Sequence, residues 1–160
     1  MARWFEHKIP PPVIDAGCAA LMWCLAQTWP TGQLWARAAW PWGWISAIGL
    51  AAMGSAVALA GVRAFGRART TVNPLAPQKA SALVTTGIYQ FTRNPMYLGM
   101  LLVLCGWAVW LGHAAALAVL PLSVMLLNQL QIKPEERILR QRFGQDYARY
   151  IARVKRWGLW

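Results

Sequence analysis

The sequence predicts an all-α protein: a multi-pass transmembrane helical bundle of about four spans, followed by a C-terminal cytoplasmic amphipathic helix. Three observations predict it. Hydrophobic residues make up 58% of the 160 residues and charged residues 13%, with a mean hydropathy of +0.34, too apolar a balance for an ordinary soluble domain of this length. The apolar residues gather in four runs of roughly the length that crosses a bilayer as a helix. With four crossings, every Lys and Arg except Arg37 falls on one face, and the basic excess of cytoplasmic loops places both termini in the cytoplasm.

Met1 to Pro12 carries Arg3, Lys8 and the run Pro10-Pro11-Pro12, which predicts an irregular, basic approach. Val13 to Trp29 is the first span, read as retained rather than as a cleaved signal because no small-residue cleavage site clearly follows it. Asp15 near its start is inexpensive only at the interface, where it stays wet or pairs with a basic neighbour. Trp29, Trp35, Trp40, Trp42 and Trp44 crowd the following turn as an aromatic belt does. The second span covers 42–62, and Gly49, Gly54 and Gly61 allow close helix contact.

Arg63 to Thr86 reads as an extended basic connector, with Arg63, Arg67, Arg69, Lys79, Pro74 and Pro77. Its Thr70, Thr71, Asn73, Ser81, Thr85 and Thr86 offer hydrogen-bonding groups. The third span covers 95–111 and the fourth 114–131, with Gly112-His113 as the turn. Both are short for a full crossing, so local thinning or a hairpin that enters and returns fits their length. Pro121 predicts a kink in the fourth helix. Asn128, Gln129 and Gln131 near its end are costly against lipid and better placed around a polar cavity. The chain is expected to form one domain over 1–160.

The net charge of +11 flanks apolar spans without a nucleic-acid motif, which makes anionic membrane lipid the expected partner and not nucleic acid. Cys18, Cys24 and Cys105 lie within apolar runs and read as core residues. His7 and His113 are isolated, and no spacing joins them to the cysteines, so no metal site is expected.

The stretch GIYQFTRNPMYLG, Gly87 to Gly99, joins the connector to the third span. Asn94 is a favourable N-cap and Pro95 suits the first helical position, so a helix begins here at the membrane surface. Its free N–H groups and the Arg93 guanidinium suit a carboxylate, although an Arg here also anchors a helix end to lipid head groups. Beyond Pro134, Leu139, Phe143, Tyr147, Ile151 and Val154 recur at helical spacing among arginines, which describes an amphipathic helix at the cytoplasmic interface. Glu135 and Glu136 are two of five acidic residues and stand at the end of the fourth span. They either complement a helix N-terminus or, if the third and fourth helices are antiparallel, face Arg93 and Asn94. One Arg and two carboxylates around a crevice suit a zwitterion, and S-adenosylmethionine is such a ligand.

The pair of segments GIYQFTRNPMYLG and EERILRQRFGQDYARY resembles the isoprenylcysteine carboxyl methyltransferase family, its bacterial relatives and the similar phospholipid N-methyltransferases. The resemblance covers roughly the C-terminal half. It implies a multi-pass membrane methyltransferase, with S-adenosylmethionine entering from the cytosolic side and a lipophilic or small-molecule methyl acceptor; the richness in Trp, Ala and Gly points to a bacterial inner membrane. By position, Gly87, Ile88, Tyr89, Arg93, Asn94, Pro95, Tyr97, Leu98 and Gly99 form one wall of the cofactor pocket, and Gln131, Glu135 and Glu136 the other. The eukaryotic carboxyl methyltransferases typically carry His where Asn94 stands, which removes any role that needs an imidazole. Methyl transfer requires alignment and exclusion of water rather than a metal. The expected catalytic residues are Arg93, Glu136 as a base for a proton-bearing acceptor, and Arg140 or Arg137 holding an anionic one. Tyr89 or Tyr97 suits a cation–π contact with the sulfonium. The competing reading is a non-catalytic lipid-binding protein or complex subunit in which the Arg and Glu side chains only clamp helix ends.

Overall fold

The computed structural model describes residues 9–35, 41–68 and 81–158. Among the described residues five α-helices follow one another: α1 (Pro11–Thr28), α2 (Pro41–Arg67), α3 (Pro95–Leu111), α4 (Ala114–Leu127) and α5 (Lys133–Arg153). Among the described residues there is no strand, only an isolated bridge between Gln33 and His113. The expectations for Arg3, His7, Lys8, Arg37, Trp40 and connector residues 69–80 lie outside the described residues.

Proline opens α1, α2 and α3 at Pro11, Pro41 and Pro95, where its fixed φ is already helical and its missing N–H costs no bond. Gly112 ends α3 in the left-handed conformation, φ 62°, which glycine adopts without steric penalty. His113 then caps α4, its Nδ1 accepting from the Ala115 N–H at 3.2 Å. Nε2 therefore carries the proton and donates to the Trp29 carbonyl at 2.7 Å. The buried histidine is thereby a structural tie between the two loops at this end of the bundle.

α2 packs antiparallel on α3 through a seam of small residues. Gly54 and Gly99 meet backbone to backbone, and Gly106 lies against the carbonyl of Ala47. Gly61 faces Met96, whereas Gly49 touches nothing and is not part of the seam. α1 lies between α3 and α4, burying Cys18, Met22 and Ala26 against Leu104, Ala108, Leu111, Ala116 and Val119. Trp23, Trp107 and Trp110 stack beside this core. A second core of Ile14, Tyr97, Leu127, Ile132 and Trp157 closes the opposite end.

Among the described residues two helices are long and apolar enough to cross a membrane, from Trp42 to Arg67 and from Ala114 onward, while α3 is a shorter apolar helix. α1, with its two prolines, Asp15 and Gln27, is not among them. Among the described residues Asp15 pairs with no basic side chain; it accepts from Ser123 Oγ on α4 at 3.0 Å. The fourth helix does not stop at Gln131: a π-turn, Asn128–Ile132, carries it directly into α5. That wider turn lies just before Pro134, which has no N–H to continue the α-ladder. Helix α4 also continues through Pro121. Cys24 is exposed rather than core, because it lies on the face of α1 turned away from α3 and α4.

Helix α5 is broken where a single amphipathic helix was expected. Gly144 takes φ 47° and ψ −116°, open to glycine because it lacks a Cβ. The break turns the last part of α5 so that Tyr147, Tyr150 and Val154 are buried, with Leu83, Leu139, Phe143 and Ile151 packed around them.

Candidate functional site

The site lies where the start of α3, the start of α5 and the segment after α5 meet. Gly87–Gln90 forms a 3-10 turn, entered through Gly87 at φ 63°. It is pinned by Tyr150, whose hydroxyl donates to the Tyr89 carbonyl at 2.7 Å. The chain then runs alongside the C-terminal segment. The Arg93 N–H donates to the Lys155 carbonyl at 3.1 Å, and Thr92 Oγ1 and Asn94 Nδ2 both donate to the Arg156 carbonyl, at 3.0 and 3.1 Å. Asn94 occupies the N-cap position, but its side chain makes no capping bond. The amide has turned to the neighbouring strand of backbone instead, a correction to the cap read from sequence.

These contacts leave the charged groups facing one another. Arg93 Nη2 lies 3.2 Å from Glu136 Oε1, and both side chains are largely buried. Arg156 grips both oxygens of the same carboxylate, Nε to Oε1 at 2.9 Å and Nη2 to Oε2 at 2.7 Å, the bidentate geometry that suits a guanidinium. The Glu136 hydrogen bond in turn raises the Arg156 pKa further. Arg93 Nε is buried and, among the described residues, has no hydrogen-bond partner. Glu135 faces a different neighbour, accepting from the Tyr97 hydroxyl at 3.2 Å. Glu135 lies beyond the apolar part of the α4–α5 helix; burial, with Glu136 beside it, pushes its carboxyl from 4.5 up to about 7 despite the Tyr97 bond. Tyr147 is within hydrogen-bonding reach of Arg93, and burial followed by Glu136 pushes its hydroxyl up to about 12. Burial likewise raises Tyr89 and Tyr150.

The structure thus brings together Tyr89, Arg93, Asn94, Tyr97, Glu135 and Glu136. Gly87 and Ile88 belong to the turn beside them, and Pro95 is buried at the start of α3. Leu98 packs into the core beneath, and Gly99 faces Gly54 of α2. Gln131 is fully buried and its Nε2 donates to the Ile9 carbonyl at 2.7 Å, while its Oε1 has no partner. Arg140 lies on an open groove of about 380 Å³ with Gln129, Lys133, Glu136 and Arg137. Sequence reasoning missed Thr92, Tyr150 and Arg156 as parts of the site, and placed Tyr147 only on an apolar face. Their spacing carries no signal, since each acts through a contact made by folding. Among the described residues no three His, Cys, Asp or Glu side chains gather to hold a metal ion.

Residues 42–146 match the family model for phospholipid methyltransferases. The chain belongs to this family. The match spans α2, α3, α4 and the first part of α5, so it includes Arg93, Glu135 and Glu136 and ends before Tyr147, Tyr150 and Arg156. Among curated proteins, protein-S-isoprenylcysteine O-methyltransferase B of Arabidopsis thaliana is 31% identical over 113 residues, 69% of this chain and 57% of that protein. The protein-S-isoprenylcysteine O-methyltransferase of Schizosaccharomyces pombe is 27% identical over 109 residues, 68% of this chain and 46% of that protein. An uncharacterized protein of Haemophilus influenzae is 42% identical over 62 residues, 39% of this chain and 98% of that protein. The chain thus spans about half the length of the named relatives it matches. No solved structure matches it. The family and its relatives bear out the isoprenylcysteine methyltransferase-like resemblance carried by the two motifs.

Proposed function

We propose that this protein is a multi-pass membrane methyltransferase, both termini cytoplasmic, that uses S-adenosylmethionine to methylate a lipophilic or membrane-accessible acceptor. The observation that carries the reading is the Arg93–Glu136–Arg156 cluster with the Glu135–Tyr97 pair beside it, set at one end of an apolar bundle. The residues fit the ligand. A zwitterion needs a buried cation with an uncommitted donor and a carboxylate not already paired with a cation. Arg93 Nε is such a donor, and Glu135, which among the described residues accepts from the neutral Tyr97 hydroxyl, is such a carboxylate. Asn94, the Gly87–Tyr89 turn and Pro95 would line the same pocket, with Leu98, Gly99 and Gln131 supporting it from the core.

Bound S-adenosylmethionine supplies an electrophilic methyl group on a sulfonium. The protein's own part is to orient both reactants and keep water out, which for a well-aligned pair is worth roughly 7–11 kcal/mol of the barrier. Glu136, held by two guanidinium groups, is poorly placed to take a proton. Arg140 and Arg137 on the groove beside Glu136 suit an anionic acceptor, which needs no base. Tyr89 and Tyr97 supply rings for the sulfonium.

Calorimetry of S-adenosylmethionine with the detergent-purified protein tests the reading. Saturable binding that Arg93→Ala and Glu135→Ala abolish supports it. A folded wild-type protein that binds nothing returns the cluster to a structural clamp between helix ends, the non-catalytic alternative.

A further inference from the structure

The segment after α5 is anchored on both sides of Arg156. Val154 is buried with Tyr147 and Tyr150, and Trp157 is buried with Ile14, Tyr97 and Ile132. The Arg156 carbonyl takes two side-chain bonds, from Thr92 and Asn94, and the preceding carbonyl takes the Arg93 N–H. A backbone held at this many points presents its side chain in one place, and that place is both oxygens of Glu136.

The consequence falls on Arg93. A carboxylate beside an arginine ordinarily takes the fork of the guanidinium with two parallel bonds. Glu136 does not: with both oxygens gripped by Arg156, it meets Arg93 through Nη2 at 3.2 Å and leaves Arg93 Nε buried and unpartnered. An unpaired buried donor is costly, and the two bonds from Arg156 keep both Glu136 oxygens from closing on the Arg93 fork. We propose that Arg156 is a positioning residue of this site: by holding both oxygens of Glu136 it keeps Arg93 Nε uncommitted for the carboxylate of an amino-acid-like ligand. The proposal rests on the methyltransferase reading of the same site and adds to it a residue outside the stretch matched by the family.

S-adenosylhomocysteine and 5′-methylthioadenosine separate positioning from mere structure, because the second has the same nucleoside and lacks the amino-acid end. Binding of both to wild type, Arg156→Ala and Arg156→Lys is measured by calorimetry, with the thermal midpoint of each unliganded protein. Arg156→Ala should weaken S-adenosylhomocysteine about tenfold or more and change 5′-methylthioadenosine by less than about twofold. Arg156→Lys keeps the charge but not the fork and should fall between. If Arg156→Ala does not fold, the Lys variant decides by the same selective loss. Equal losses for both ligands, or no loss for either, overturn the positioning role while leaving the methyltransferase reading intact. A folded wild-type protein that binds neither ligand overturns both.

Discussion

Glu136 on α5 and Arg93 before α3 are separated in sequence by the whole α3–α4 hairpin, yet their charged groups stand 3.2 Å apart with little exposure to solvent. The antiparallel hairpin returns the chain to the end from which it started, and Arg156 joins the pair from a third segment. One carboxylate therefore sits between two guanidinium groups.

Glu136→Gln leaves Arg93 and Arg156 as neighbouring like charges without the anion between them. The expected loss is about 2–4 kcal/mol of stability, the range for removing one partner from a buried charge cluster. Thermal or denaturant unfolding in detergent reads it. An unchanged midpoint would mean that solvent already screens these charges.

Glu135 should make the unliganded protein less stable as pH rises. Its carboxyl titrates near 7 in the folded protein against 4.5 ordinarily, so the folded state holds the proton more tightly than the unfolded one. This contribution is fully present below pH 4.5 and is lost as pH climbs through about 7. The thermal midpoint should fall across that window for the wild type and fall less for Glu135→Gln. Parallel curves for the two proteins would rule Glu135 out as the source.

The α2–α3 seam predicts a contrast between glycines on one helix. A Cβ at Gly54 would run into the Gly99 backbone, so Gly54→Ala should cost about 1–3 kcal/mol through overpacking. Gly49 has open space around it, and Gly49→Ala should be neutral or stabilising by up to about 1 kcal/mol from helix propensity. Urea unfolding of the two variants in mild detergent compares them, and a Gly54→Ala protein as stable as wild type would refute the close contact.

His113 stands at the far end of α3 from Arg93, about 25 Å away along a helix of that length. His113→Leu removes the α4 cap and the bond to the Trp29 carbonyl, with an expected cost of about 2 kcal/mol. Binding of S-adenosylhomocysteine at temperatures where the variant is folded should match wild type. A selective loss of binding would show that the two ends of the bundle are coupled.

Much of this arrangement was legible before folding was considered. The start of α3 follows from Pro95 and the hairpin turn from Gly112, because a proline ring and a missing Cβ act on their own residue's backbone, whereas Pro11, read as part of an irregular approach, opens α1. The meeting of Arg93 with the Glu pair was legible at one remove, from the inference that the hairpin is antiparallel. Helix α5 was read as unbroken because Gly144 in a helical pattern is compatible with either outcome; burial of Tyr147 and Tyr150, the latter bonded to the Tyr89 carbonyl, favours the break.

By itself, the sequence determined the helical class, the apolar character, the bounds of α3 with the turn after it, and the two charged motifs of the site. These are local properties, set by composition, period and the backbone limits of single residues. Tertiary structure alone decided that Glu136 pairs with Arg93 while Glu135 turns to Tyr97, that Asn94 leaves its cap for the Arg156 carbonyl, and that Arg156 belongs to the site. Each of these is a choice among partners of similar chemistry, and such choices depend on which segments fold against one another.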